Sequence, residues 1–180
     1  MQWITLTSVL RSSARRCWGS DSISIRAIRP DDRKRIVKAF HDLDRQSIYQ
    51  RFFFAKRELQ DFELRQITEC DGIRSVALVA TIGSGNDEVV VGLGQYFKRG
   101  AVAEVAFAVA ADYRGRRIAT RLLRRLECIA RNSGVSLFEA DVLSDNRPML
   151  KVFRHSGLPM DENEADGVVR VTLHLADARN

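Results

Sequence analysis

Residues 103–135 read AEVAFAVAADYRGRRIATRLLRRLECIARNSGV, and this stretch decides the fold. An apolar strand, AVAEVAFAVA over 101–110, runs into it and carries one acid, Glu104. From Arg114 to Arg131 the period changes. Ile118, Leu122, Leu126, Ile129 and Ala119, Leu123, Ala130 recur three and four residues apart, the wide apolar stripe of an amphipathic helix. The opposite face holds Arg116, Arg117, Arg121, Arg124, Arg125 and Arg131, is offset only by Glu127, and is expected to lie in water. Gly134 separates this helix from a further strand, VSLFEADVL over 135–143. A strand–helix–strand run of this length predicts a crossover that makes the two strands parallel neighbours. At the DYRGRRIA corner the first-turn N–H groups lack helical acceptors and the local field is positive, which suits a phosphate or pyrophosphate. Such corners occur in every α/β protein, so a plain packed helix with a solvated arginine face fits the spacing equally well.

Working outward toward the N-terminus, the hairpin RSVALVATI–GSGND–EVVVGLGQYFK over 74–98 predicts two antiparallel strands. Before it comes a helical stretch from Glu58 to Ile67, preceded by the aromatic cluster YQRFFF over 49–54. SISIRAIRP over 22–30 alternates as a strand, and Pro30 with Asp31 and Asp32 suits the first turn of a helix reaching about Leu43. Toward the C-terminus, Asn146 to His155 predicts a short helix stopped by Gly157, and VVRVTLHLA over 168–176 a closing strand, with a further weak strand near Leu158 to Asp161. The expected class is α/β (α+β), a central mixed, mostly antiparallel sheet flanked by helices, in the order β-αα-β-β-β-α-β-α-β.

The chain's 180 residues suit one domain, and 45% hydrophobic content suffices for a core. Its apolar runs are too short to span a bilayer as helices, so no membrane span is expected. Five of its 29 basic residues are Lys and 24 are Arg, for a formal charge of +6. Such a balance favours anionic partners without choosing among nucleic acid, nucleotide, coenzyme and lipid. Residues 1–22 stand apart: no acid precedes Asp21, and the short apolar stretch ends at Arg11 without the length of an export signal. This segment is expected to be a disordered or atypical leader, the alternatives being a weak organellar or membrane-surface signal and a wrongly chosen start. Residues 23–176 form the expected domain. Cys17, Cys70 and Cys128 make no CxxC pair and read as free thiols of a cytoplasmic protein. The three His have no metal-ligand spacing, so no metal is expected. Cys128, beside the apolar stripe, reads as a packing residue.

The 103–135 stretch resembles the acetyl-CoA-binding core of the GNAT superfamily (GCN5-related N-acetyltransferases). The family signature is Gln or Arg, two residues, Gly, one residue, then Gly or Ala; here Arg114 and Ala119 match, while Arg117 stands at the usual Gly. VLSDNRPMLKVFRHSGL over 142–158 resembles the family's later strand-to-helix passage. SIYQRFFFAKRELQDFELRQITECDG over 47–72, together with AEVAFAV, SDNRPMLKVFRHSGL and GVVRVTLHL, is similar to the acetyltransferase domain of bacterial protein-lysine acetyltransferases. The resemblance covers roughly 23–176. It implies a CoA thioester as co-substrate and direct attack by an amine acceptor, a protein lysine in the narrower group; no nucleic acid is expected as partner, since the sequence carries no recognised binding motif for one. It also implies Glu104 as general base, a role its apolar strand would favour by raising its pKa. Backbone contacts from Phe107 to Val109 would hold the pantetheine arm, and Arg114, Gly115, Arg116, Arg117, Ile118 and Ala119 would cradle the pyrophosphate. The Arg117 side chain would either point away or add a contact to a CoA phosphate. Asn146 reads as an N-cap or a CoA ligand. Phe153 stands where many relatives carry a proton-donating Tyr. Tyr49, Phe52 and Phe53 read either as core or as the acceptor wall of the cleft. The alternative to an enzyme is a non-catalytic acyl-CoA sensor or interaction domain.

Overall fold

The computed structural model describes residues 22–175. The expected leader therefore lies outside the described residues, apart from Ser22. One seven-stranded sheet runs in the order β1 (Ser24–Ala27), β2 (Ser75–Ile82), β3 (Val89–Arg99), β4 (Val102–Val109), β5 (Leu137–Leu143), β7 (Val168–His174) and β6 (Met160–Ala165). All neighbours are antiparallel except β4 and β5, the parallel pair that the crossover requires. The strand expected weakly near 158–161 is a full edge strand, β6.

Helices cover both faces. On one side lie α4 (Ile118–Asn132) and α5 (Arg147–Arg154), and on the other α1 (Arg33–His41) and α3 (Asp61–Thr68). β2 shows why its sequence does not alternate. Val76, Leu78 and Ala80 pack into the core with α4, while Val79 packs with Ile36 of α1 and Ile67 of α3. A strand covered on both faces reads as a continuous apolar run. The stripe of α4 is buried as its period predicts, with Ile118, Leu122, Leu123 and Leu126 nearly inaccessible. It presses directly on β3, where a Cβ at Gly94 would lie 3.0 Å from the Phe107 ring and 3.2 Å from Leu122 Cβ.

Three expectations need correction. α4 begins at Ile118 rather than Arg114, because Gly115 (φ 75°) and Arg117 (φ 58°) are left-handed and break the helical path. A third helix before β2, α2 (Arg45–Phe52), takes in most of what read as an aromatic cluster. Asp44 caps it, accepting from Ser47 N at 2.8 Å and Ser47 Oγ at 2.6 Å, and Phe53 at φ 63° ends it. Finally, the arginine face of α4 is not simply solvated. Arg121 donates to Ile23 O at 2.9 Å and Arg125 to Ile25 O at 2.7 Å, so the helix grips the outer edge of β1. Among the described residues no helix is long and apolar enough to cross a membrane.

β1 is fixed at its other side by charge. Arg26 makes a two-pronged pair with buried Asp32 (2.6 and 2.7 Å) and a second with Glu88 (3.0 and 2.7 Å), joining the first strand, the first helical turn and the β2–β3 loop. Burial would push the Asp32 carboxyl up. The Arg26 hydrogen bonds, the Arg29 N–H and the charges of Arg26 and Arg35 outweigh it, leaving the group below its ordinary value.

A depressed carboxylate stabilises the fold above its unfolded pKa of about 4, and that contribution is lost as pH falls through the lower folded value. We therefore expect urea midpoints to drop below about pH 4. Asp32→Asn should cost about 3 kcal/mol at neutral pH, by stranding Arg26, and should flatten the acid limb. Gly94→Ala should cost about 1–3 kcal/mol in the same assay, because the Phe107 ring and Leu122 must both give way. An unchanged midpoint would mean that α4 does not rest on β3 as closely as described.

Candidate active site

β4 bonds to β3 along its whole length but to β5 only through Val102↔Leu137, Ala103↔Phe138 and Glu104↔Glu139. Beyond Glu104 the two parallel strands part. The backbone groups of residues 105–109 that face β5 have no partner strand, a demand that some hydrogen-bonding group must meet. Phe107 reaches across the divergence to Phe153 of α5, with ring centroids 6.0 Å apart. Phe153 is 1% exposed and sits in the core, so the position offers no proton donor.

Glu104 stands where the strands separate, on the face shared with Ala106 and Ala108. The apolar setting expected for it is not what surrounds it. Its side chain is 65% exposed, with Arg99 Nη2 at 3.8 Å and Glu139 as its register partner. Two small neighbours do leave room along the strand. Beside Ala106 on β3 lies Gln95, only 6% exposed, whose Oε1 accepts no hydrogen bond from a described residue. The sequence reading passed over Gln95, since a lone polar residue in GLGQYF carries no signature.

After β4 the chain makes the turn at 114–117 and enters α4. The left-handed backbone of Arg117 (φ 58°, ψ 24°) explains why glycine is usual at that place in the signature: the turn itself needs positive φ. The side chains of Arg114, Arg116 and Arg117 are exposed, while Ile118 is buried and Ala119 half-buried. Arg116 lies over the Tyr113 ring at 4.9 Å. Arg114 bonds Asp44 at 3.0 Å and also Ser47 Oγ, tying the turn to the cap of α2. Burial acts to raise Asp44, but its bonds from Ser47 and the charge of Arg114 bring it below its ordinary value. Asn146 caps α5, accepting from Met149 N at 3.2 Å, so its side chain is occupied as an N-cap requires.

On the α1–α2 side a cavity of about 530 Å³ opens between the helices and the sheet. Ile36, Phe40, Leu59, Ile67, Val90 and Leu93 form apolar walls, and Ala108 is part of the floor. Asp42, Asp44 and Asp112 also line it, with Arg51 and Phe52 from the last turn of α2. Of the three aromatic candidates only Phe52 lines this cavity; Tyr49 is 48% and Phe53 37% exposed, outside its wall. Cys128 is exposed rather than packed, and Cys70 is half-buried, its thiol pushed up by burial. Cys17 lies outside the described residues. No group of three metal-ligating side chains occurs among the described residues.

Comparison with known proteins agrees with this fold. The family model described as the acetyltransferase (GNAT) family matches residues 42–158. A curated relative, acetyltransferase Pat of Mycolicibacterium smegmatis, is 29% identical over 136 residues, 74% of this chain but 40% of the relative. The chain thus spans well under half the length of that protein. The GNAT domain of S. lividans PAT superposes with a TM-score of 0.77 at 32% identity, covering 84% of this chain and 90% of that one. The fold also matches yncA of Salmonella typhimurium, a putative acetyltransferase solved with its cofactor acetyl-CoA (TM-score 0.65, 18% identity, 89% of this chain and 98% of that one).

The strain at Arg117 is open to measurement. Arg117→Gly should leave stability unchanged or raise it by up to about 1 kcal/mol, because the relief of left-handed strain offsets glycine's extra chain entropy. Arg117→Val should lower it by about 1–2 kcal/mol. Equal thermal midpoints for the two variants would mean that the residue does not hold the left-handed conformation in solution.

Proposed function

The chain belongs to the acetyltransferase (GNAT) family, and from this premise we propose that it transfers the acetyl group of acetyl-CoA to an amine, with a protein lysine as the acceptor class. The observation that carries the reading is the parting of β4 from β5 immediately after Glu104. It leaves a carboxylate, an unpaired strand edge and a helix N-terminus in sequence along one strand–helix unit. The likeness to Pat and to the PAT domain supports the lysine acceptor. Free Cys70 and Cys128 suit a cytoplasmic setting.

The roles follow from what each group offers. The free edge of β4 over Phe107–Val109 can continue its ladder with the amides of the pantetheine arm. Turn and first-turn amides from Arg114 to Ala119 can bind the pyrophosphate, with Arg114, Arg116 and Arg117 supplying positive charge. Asn146 holds the start of α5 as a cap and is in our reading a second-rank coenzyme ligand. An amine entering from the α1–α2 side attacks the thioester carbonyl carbon, the C–N bond forms and the C–S bond breaks. The amine's proton goes to Glu104, whose exposure suits transfer through water, and the departing thiolate takes a proton from solvent, since Phe153 has none to give.

Glu104→Gln tests the base. Turnover at saturating amine should fall by about 10²–10⁴-fold, while calorimetric affinity for acetyl-CoA changes little. A rate within about threefold of wild type would remove Glu104 from the chemistry and leave positioning as the main contribution. Firm acetyl-CoA binding without acetyl transfer to any lysine peptide or small amine would replace the enzyme with a coenzyme sensor.

A further inference from the structure

The cavity between α1, α2 and the sheet contains one cation that the fold leaves unanswered. Arg51 lines it, half-buried, with its guanidinium 5.0 Å above the ring of Phe52. No described oxygen lies within hydrogen-bonding or ion-pairing distance of it; Glu104 and Glu63 act on it only from further away. Every other half-buried cation among the described residues has an oxygen partner: Arg26 has Asp32 and Glu88, Arg33 has Asp61, Arg35 has Asp32, Lys56 has Glu63, Lys98 has Ser133 O and Arg131 has Glu127. Desolvation drives the Arg51 guanidinium below its ordinary value, and the two distant carboxylates only partly oppose it. A guanidinium does not escape that cost by losing its proton. A cation removed from water needs an anion close by.

We infer that Arg51 is a specificity-determining residue that binds a carboxylate carried by the amine acceptor. The inference deepens the acetyltransferase reading and rests on it. The setting selects a single negative charge. One cation faces it and the walls are apolar; Asp42 and Asp44 are answered by Lys38 and Arg114, while Asp112 adds a further negative charge, so a single carboxylate suits the site better than a dianionic phosphate. A carboxylate fits the planar fork of one arginine through two parallel N–H···O bonds. The Phe52 ring offers an aromatic face to the guanidinium, its centroid 5.0 Å from Arg51 Cζ. Arg51 stands on α2 and Ala108 of β4 is part of the cavity floor, so a ligand held by Arg51 would have its anionic group toward α2 and its amine toward β4. The carboxylate can belong to a free amino acid or to an acidic residue beside a lysine in a peptide.

Direct binding separates this from the transfer reaction. Calorimetry with the CoA-saturated protein would compare lysine with lysinamide, and blocked Glu-Lys with blocked Gln-Lys. In at least one pair the carboxylate-bearing member should bind about 10–100-fold more tightly. Arg51→Gln should erase that difference by weakening only the carboxylate-bearing member, and Arg51→Lys should retain part of it, having the charge without the fork. The pair that shows the effect identifies the source of the carboxylate. Equal binding within both pairs, no binding at all, or an Arg51→Gln variant that keeps the preference would each overturn the inference. A variant that weakens both members equally would also do so, by showing a merely structural arginine. Acetyl transfer, followed separately by CoA release, reports on the acetyltransferase reading: its absence alongside an intact Arg51-dependent preference would sink the reaction and not the carboxylate site.

Discussion

A strand in the middle of a sheet that loses one neighbour halfway along its length carries the same burden as a strand at the rim. β4 does so after Glu104, where its ladder to β5 stops while its ladder to β3 continues to Val109. The two halves of the sheet are then held apart by packing rather than by hydrogen bonds, with Phe107 and Phe153 meeting across the gap. Peptide-like amides are the natural complement of such an edge, and the turn that follows it presents amides of its own. The polar demand of the backbone therefore sets where the coenzyme can lie before any side chain is considered.

Side chains then join the two sides of the cleft. Asp44 caps α2 through Ser47 and also holds Arg114, the first residue of the turn. The partly exposed Arg114–Asp44 pair contributes at most about 1 kcal/mol, and the cap a similar amount, about 1 kcal/mol. Together they place the helix bearing Arg51 and Phe52 in a fixed relation to the turn beyond β4. Asp32 differs: that carboxylate is fully buried, takes both prongs of Arg26 and a longer contact from Arg35, and ties together elements of the fold.

Long, strongly periodic segments were legible in the sequence. The stripe of α4, the 74–98 hairpin and the parallel pairing of the strands around the crossover are all present as the period demanded. What failed to show depends on contacts distant in the chain. α2 was hidden because RQSIYQRF has only a weak apolar face, and its start is marked by one aspartate cap. Arg117 was legible as a departure, but the positive φ that makes glycine usual there is a property of the turn and not of the residue. Glu104 was rightly placed on a face with small residues, yet its exposure follows from the divergence of β5, which no local pattern encodes. Arg51 read as an interruption among aromatics, and its lack of a partner appears only when α2 is set beside the sheet.

The arginine richness of the chain acquires a further meaning at β1. A rim strand exposes a row of carbonyls that invites another chain to add itself, and Arg121 and Arg125 occupy two of them from above. At the opposite rim, β6 carries Asp161, Glu162 and Glu164, of which Glu162 is held by Arg154 and Asp161 by His174; charged side chains of this kind blunt an edge strand. Lysine, with its compact and strongly hydrated ammonium, would surrender more hydration to lie along that backbone than a flat guanidinium does. Part of the positive charge that marks the composition is thus taken up by the sheet's own rim and is not available to a ligand.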